Sequence, residues 1–149
     1  MTMEEIVQKL SALSSEEAVQ GMKRFGITPK KALGVSLPEL RRIARSIGVS
    51  HELALKLWEL QIRETMLLAS MVDEPKLVTE EQMERWVVDF DNWEICDQVC
   101  GNLFIWTDHV YKKIFDFAER DEEFVKRSSF AMIAGLAVHG KHLDNKWWE

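Results

Sequence analysis

The chain has 149 residues, of which 46% are apolar and 30% are charged. This composition excludes an intrinsically disordered chain and suits one globular domain with a hydrophobic core. No apolar run approaches the roughly 18 to 20 residues that a membrane-spanning helix requires. The N-terminal MTMEEIVQKL lacks the order of a secretory signal, so a cytoplasmic protein is expected. The net charge of −6 argues mildly against a nucleic-acid partner.

Helical periodicity predicts the first elements of the chain. Apolar residues recur every three or four positions between residues 6 and 13, and again between residues 37 and 47. The sequences SLPE from Ser36 and TEEQ from Thr79 have the capping-box pattern of a helix N-terminus, and Ser50 is suited to cap a helix. Strand signals are nearly absent, so we predict an all-α fold.

Basic residues are concentrated between residues 23 and 45. This segment has seven lysines and arginines and one acid, a balance of +6, so the rest of the chain carries −12. Its central stretch GITPKKALGVS, residues 26–36, is predicted to be an exposed loop that leads into a helix N-terminus, a position that favours anions. A phosphate-binding edge and a solvated helix face both fit this asymmetry. The basic residues are Lys23, Arg24, Lys30, Lys31, Arg41, Arg42 and Arg45.

Pairs of helices then recur about every 30 residues. They are predicted at 51–60 with 62–72, at 80–90 with 92–104, and at 109–120 with 122–138. Stacked antiparallel pairs form an α-α superhelix of the HEAT-like or ARM type, in which the second helices line the concave surface. Identity between the pairs is low, so a helical bundle is the alternative.

The chain closes on KHLDNKWWE, in which Trp147 and Trp148 are a poor pair for a solvated tail. A solenoid normally ends on a polar capping repeat. We therefore expect a single HEAT-like domain over residues 1–149 that lacks C-terminal repeats, or tryptophans that pack back or onto a second chain.

An acid interrupts an apolar helical stripe in FDNWEICDQVC, residues 90–100. Trp93, Asp97 and Gly101 fall on one side of the predicted helix, with Asp91 as its N-cap and Glu94 as the capping partner. A carboxylate that faces a core needs a charge partner, strong donors or a chemical role. Because Gly101 leaves space beside the carboxylate, a small niche with an aromatic wall and an acid is predicted.

The helix predicted at 122–138 supplies the facing side chains. Ser128, Ala131 and Gly135 form a small-residue face that permits close packing, and Arg127 lies at its edge. The Arg127 guanidinium can pair with Asp97 or reach a phosphate by bidentate hydrogen bonds. On the residues alone, a buried Asp97–Arg127 salt bridge without further function is the favoured interpretation.

Metal-ligand patterns are missing from the sequence. Cys96 and Cys100 are four residues apart with no second pair of cysteines or histidines, so they are predicted to be buried thiols. The four histidines have no HExxH spacing. No metal is expected.

Four segments in this order resemble the AlkD-type DNA alkylation repair family, over nearly the whole chain. They are GVSLPELRRIAR (34–45), LWELQIRETMLLASMVDEP (57–75), WVVDFDNWEICDQVCGNLF (86–104) and EEFVKRSSFAMIAGLAVH (122–139). The most specific part is Trp93 with Asp97 four residues later, followed by Lys126 and Arg127 of the next inner helix. The resemblance implies HEAT-like repeats around a concave DNA-binding face. It also implies excision of cationic N-alkylated purines, such as 3-methyladenine and 7-methylguanine, from duplex DNA without base flipping.

The resemblance further implies roles for single residues. Asp97 matches the catalytic aspartate, Trp93 the aromatic residue that contacts the backbone of the lesion, and Arg127 the arginine beside them. Ser36 matches a polar position near the opened base pair, and Lys126 and the basic residues between 23 and 45 are expected to contact DNA. Since an alkylated purine is already cationic, one ionised carboxylate can stabilise the oxocarbenium-like sugar and position a water, and Trp93 can offer a π face. No metal or cofactor is expected.

The chain also departs from the pattern of that family. Met66 stands where many relatives carry an arginine, which removes one basic contact, and CDQVCGNLF is a divergent variant of its segment. The family continues through further repeats that supply another inner tryptophan. A DNA-binding module without catalysis and a protein-interaction solenoid are therefore the alternative functions.

Overall fold

A computed structural model describes residues 1–139, so Trp147 and Trp148 lie outside the described residues. These residues form α-helices and two short 3-10 helices, Pro75–Leu77 and Phe104–Trp106, and contain no strand, which confirms the all-α prediction. The α-helices are α1 (Met3–Ala12), α2 (Glu16–Arg24), α3 (Leu37–Ile47), α4 (His51–Glu59), α5 (Arg63–Val72), α6 (Glu80–Val87), α7 (Trp93–Asn102), α8 (Val110–Ala118) and α9 (Glu123–His139).

Polar side chains cap the helices where the sequence predicts. The Ser36 and Thr79 hydroxyls accept hydrogen bonds from the backbone N–H of Glu39 and Gln82, at 3.4 and 3.1 Å. The Ser50 hydroxyl caps α4 in the same way at 3.2 Å. The other half of each predicted capping box is not formed, because the Glu39 and Gln82 side chains pair with other side chains. These caps fix where α3, α4 and α6 begin.

The helices are arranged in two layers. In the inner layer α5 packs between α3 and α7, and α9 packs beside α7. On the outside, α4 packs against α5 and α8 against α9. Helices α4 to α9 begin and end within three residues of the predicted bounds. The predicted superhelix of stacked helix pairs is thus confirmed, with α3, α5, α7 and α9 as its inner layer.

Apolar side chains from both layers fill the space between them. Trp58 of α4 stacks on Trp86 of α6 with ring centroids 4.1 Å apart, and Phe90 meets Trp58 edge-on at 6.2 Å. Such aromatic contacts add to the free energy gained by burying the rings. Within residues 1–139, no helix is both long and apolar enough to span a lipid bilayer.

Candidate functional site

The start of α7 determines the direction in which the predicted site residues point. The Asn92 side-chain oxygen accepts hydrogen bonds from the backbone N–H of Glu94 and Ile95, at 3.0 and 3.2 Å. The predicted cap at Asp91 is therefore wrong. The Asp91 carboxylate instead accepts a hydrogen bond from the backbone N–H of Lys30 at 2.9 Å. Since the true cap is the next residue, the predicted helix shifts by a single position.

Asp97 lies on the exposed side of α7, so the expectation of an acid that faces the core is wrong. The interior side of the helix is taken by four apolar residues, Ile95, Cys96, Val99 and Cys100. As a result 36% of the Asp97 side chain is accessible, and Trp93, one turn earlier, is 37% exposed. At Gly101, one turn later, a Cβ atom would meet open space. The predicted niche beside the carboxylate exists, but it opens to solvent.

Arg127 of α9 holds the Asp97 carboxylate. Its Nε donates a hydrogen bond to Oδ1 at 2.9 Å and its Nη2 donates one to Oδ2 at 2.8 Å. Because the Arg127 side chain is 46% exposed, the pair is accessible and the predicted buried salt bridge is wrong in its burial. The Asp97 carboxylate raises the pKa of the Arg127 guanidinium. The two-point geometry fixes the orientation of the carboxylate plane.

Two buried cysteines bring α9 close to α7. The Cys96 and Cys100 thiols face the backbone carbonyls of Phe124 and Ser128 at 3.5 and 3.7 Å. Burial raises the pKa of the Cys100 thiol well above its ordinary value, so this thiol remains a hydrogen-bond donor. Both cysteines are free and buried, which confirms the prediction of core thiols.

An open groove of about 710 Å³ runs between α7 and α9. Asp97 and Gly101 line its α7 side, and Lys126 and Arg127 line its α9 side. Further along α9 the wall becomes apolar, and Phe130 there is 63% exposed. Predicted residues from two separate segments therefore share one groove that has a carboxylate and two cations at its mouth.

Arg41 is linked to this site through Gln98, the residue after Asp97. Nη2 of Arg41 donates a hydrogen bond to Oε1 of Gln98 at 3.1 Å, and Nδ2 of Asn102 donates to the same oxygen at 3.3 Å. Asn102 also donates to the Ser70 hydroxyl at 3.2 Å. A polar ladder thus crosses α3, α7 and α5 on one face, and it places the Arg41 guanidinium beside α7.

The remaining basic residues of the 23–45 segment are all exposed but face different parts of the molecule. Lys23, Lys30 and Lys31 line a cavity beside the start of α5. Arg45 lies next to Arg41 in a shallow depression between α3 and α5. In contrast, Arg42 pairs with Glu39 and lies toward α1, and Arg24 lines none of these cavities. The predicted DNA-binding set is therefore not a single continuous patch.

Trp93 joins the lysine-bearing loop to α7. Its indole Nε1 donates a hydrogen bond to the backbone carbonyl of Phe25 at 3.1 Å. The Phe25 side chain is 76% exposed. Residues 25 and 26 therefore lie against the first turn of α7, between the lysine cavity and Asp97. The exposed Ser36 hydroxyl is occupied as the cap of α3.

A buried charge network, which the sequence did not predict, supports both the loop and α7. Arg63 donates to both carboxylate oxygens of Glu94, at 2.6 and 2.9 Å, to Glu64 at 2.6 Å, and to the carbonyl of Val35 at 2.7 Å. Burial alone lowers the pKa of Arg63, but Glu94 and Glu64 outweigh burial and raise it. Glu94 is thus not the predicted capping partner, because Arg63 occupies both of its carboxylate oxygens.

Glu64 completes this network by binding the loop. Its carboxylate accepts hydrogen bonds from the backbone N–H of Leu33, Gly34 and Val35, at 2.8, 3.0 and 3.1 Å. The only local signal was the pair of charges in the otherwise apolar run IRETMLLAS. Such a pair inside a buried helix requires partners, which here lie about 30 residues away on either side.

Comparisons with known proteins agree with this architecture. Residues 6–146 match the sequence model of a family described as "DNA alkylation repair enzyme". The uncharacterized protein Lmo0209 of Listeria monocytogenes is 27% identical over 149 residues, which are 97% of this chain and 64% of that protein.

A solved structure also has this fold. It is described as "a new family of proteins related to the HEAT-like repeat DNA glycosylases with affinity for branched DNA structures", and its TM-score is 0.80 at 19% identity. The match covers 89% of this chain and 56% of that one, so the chain spans less than two thirds of either relative. Because the family match extends over nearly the whole sequence, the chain belongs to the DNA alkylation repair enzyme family.

Proposed function

We propose that this chain binds duplex DNA along its inner helices and excises cationic N-alkylated purines. The observation that carries the proposal is the position of Asp97. Its carboxylate is oriented by Arg127 at the mouth of an open groove, one helical turn from the exposed Trp93. Membership of a DNA alkylation repair family supports the choice of substrate.

The proposed reaction is hydrolysis of the N-glycosidic bond. The bond between C1′ and the purine nitrogen breaks, and its electron pair neutralises the cationic base, which leaves without needing a proton. Asp97 stabilises the positive charge that develops on the sugar and orients a water. The water oxygen bonds to C1′, and its proton passes to the carboxylate and then to solvent. Trp93 offers the face of its ring to the cationic sugar.

The groove suits a base that stays in the duplex. Lys126 and Arg127 line an open groove rather than an enclosed chamber, so the sugar and phosphate of the damaged nucleotide can approach Asp97 from outside. The Arg41 guanidinium, held beside α7 by Gln98, is suited to a neighbouring phosphate. Because the net charge of the chain is −6, these local cations must provide the attraction, and binding should weaken steeply with salt.

The test is release of free 7-methylguanine from methylated duplex DNA. The Asp97→Asn variant should lower the rate of release by at least about 100-fold, the size of effect expected when one preorganised charge is removed. Asp108→Asn, which changes another exposed aspartate, serves as the matched control and should keep full activity. Equal release by the Asp97→Asn variant and the unmodified chain would refute the mechanism.

A second candidate is binding of branched DNA without catalysis. It is favoured by the described affinity of the structural relative, and by the fact that Arg127 occupies both oxygens of the Asp97 carboxylate. No base release together with retained DNA binding would support it. A failure to bind any DNA at low salt would contradict both candidates and favour a protein-interaction solenoid.

A further inference from the structure

A cavity near the start of the chain takes no part in the proposed reaction. It measures about 560 Å³ and lies between α2, the loop that follows it and the residue before α5. None of the described residues that line it is acidic. Its rim carries three lysines, Lys23, Lys30 and Lys31, and its floor is largely apolar, with contributions from Val19, Ile27, Ala32, Leu33 and Ile62.

The loop that carries two of these lysines has a fixed backbone. The Lys30 N–H is bound by the Asp91 carboxylate at 2.9 Å, and the Lys31 carbonyl accepts a hydrogen bond from the backbone N–H of Arg63, also at 2.9 Å. The Leu33 carbonyl accepts one from the backbone N–H of Ser15 at 2.7 Å. The cavity is thus already formed without a ligand, which lowers the entropy lost when a ligand binds.

An exposed aromatic residue lies next to the cavity. Phe25 follows Lys23 by two residues and is 76% exposed, a large fraction for an apolar ring in a defined position. Its carbonyl is held by the Trp93 indole, so the backbone at Phe25 lies between the lysine cavity and the groove with Asp97. The edge therefore combines three cations, an apolar floor and a free ring face.

We propose that the lysine cavity, together with Phe25, binds an unpaired DNA strand beside the duplex. The inference rests on the proposed function and makes its substrate more specific: a duplex with a single-stranded arm. Cations interleaved with exposed aromatic rings are the general means of holding single strands, because phosphates follow the cations while bases stack on the rings. A duplex exposes only phosphates and sugars along its flanks, so an apolar floor and a free ring match an unpaired base better.

The test compares two fluorescent DNAs by anisotropy titration: a blunt duplex, and the same duplex with a single-stranded arm. The unmodified chain should bind the armed DNA more tightly. Phe25→Ala should weaken binding of the armed DNA by roughly 5- to 150-fold, the range for loss of one base stack, and leave the blunt duplex unaffected. Phe115→Ala, which removes an equally exposed ring on α8, should change neither.

The lysines are tested through the salt dependence of binding. In the double variant Lys30→Gln with Lys31→Gln, the slope of log affinity against log salt should fall by roughly 0.7 for each lost phosphate contact, for the armed DNA only. Equal affinity for both DNAs, or equal losses for both in the variants, would overturn the inference while leaving duplex binding intact. If neither DNA binds at low salt, the proposed function fails together with the inference.

Discussion

Replacing Arg63 by methionine removes the only cation from a buried cluster that also contains two carboxylates. Arg63 is 3% exposed, Glu64 is fully buried and Glu94 is 8% exposed, so water cannot take the place of the guanidinium. Breaking a buried pair of this kind costs about 3 to 5 kcal/mol. For a domain of this size each kcal/mol lowers the melting temperature by about 2 to 4 °C, so we expect a decrease of about 6 to 20 °C.

Circular dichroism of thermal unfolding measures this change. Arg42→Met is the matched control, since Arg42 pairs with Glu39 on the surface and exposed pairs contribute less than about 1 kcal/mol. Adding Glu94→Met to the Arg63→Met variant should restore part of the lost stability, because the unpaired carboxylate is then removed as well. A melting temperature for Arg63→Met within about 3 °C of the unmodified chain would refute the reasoning.

Two further predictions concern the loop and the outer helices. Gly34 has φ +86° and an added Cβ would overlap the carbonyl oxygen of Ser15, so Gly34→Ala should lower the free energy of unfolding by about 2 to 6 kcal/mol, measured by urea titration. Burial alone raises the pKa of Glu84, but hydrogen bonds from Arg120 and Lys113 outweigh burial and hold that pKa below its ordinary value. This pairing therefore stabilises the fold above the pKa of an unfolded glutamate and is lost as pH falls through the folded pKa, so Glu84→Gln should flatten the acid side of the stability profile.

Each of these has a control on the same kind of structure. Gly48 has φ +80° but open space around an added Cβ, so Gly48→Ala isolates backbone strain from steric overlap. Equal destabilisation by the two alanine variants would contradict the role of the overlap at Gly34. Glu81, exposed on the same helix as Glu84, supplies the comparison for the pH profile. An unchanged acid slope in Glu84→Gln would show that the pairing contributes nothing there.

The fold followed from local patterns, because helix periodicity and caps are encoded within a few residues. Ser36, Ser50 and Thr79 cap helices at the predicted positions. The exposure of Asp97 did not follow, since Trp93 and Gly101 were counted as part of an apolar stripe. Which side of α7 faces inward is decided instead by the denser run of apolar residues at positions 95, 96, 99 and 100.

Contacts between distant residues were the least predictable part of the site. A bidentate partner for Asp97 could be proposed from the helix repeat, because Arg127 occupies the corresponding place one repeat later. The choice of Glu94 by Arg63 carries no comparable signal, since the two residues belong to different helices and any nearby acid would satisfy the charge. The division of the basic segment, with Arg42 directed toward α1, likewise depends on the orientation of α3 in the whole fold.

The attachment of the 33–35 backbone to Glu64 has a consequence for exchanging parts between relatives of this protein. A loop held only at its two ends can be transplanted by itself, whereas this loop gives three amide protons to a carboxylate on another helix. A chimera that receives the loop without Glu64, Arg63 and Glu94 would bury amides that have no acceptor. The smallest unit that can be exchanged is therefore the loop together with the beginnings of α5 and α7.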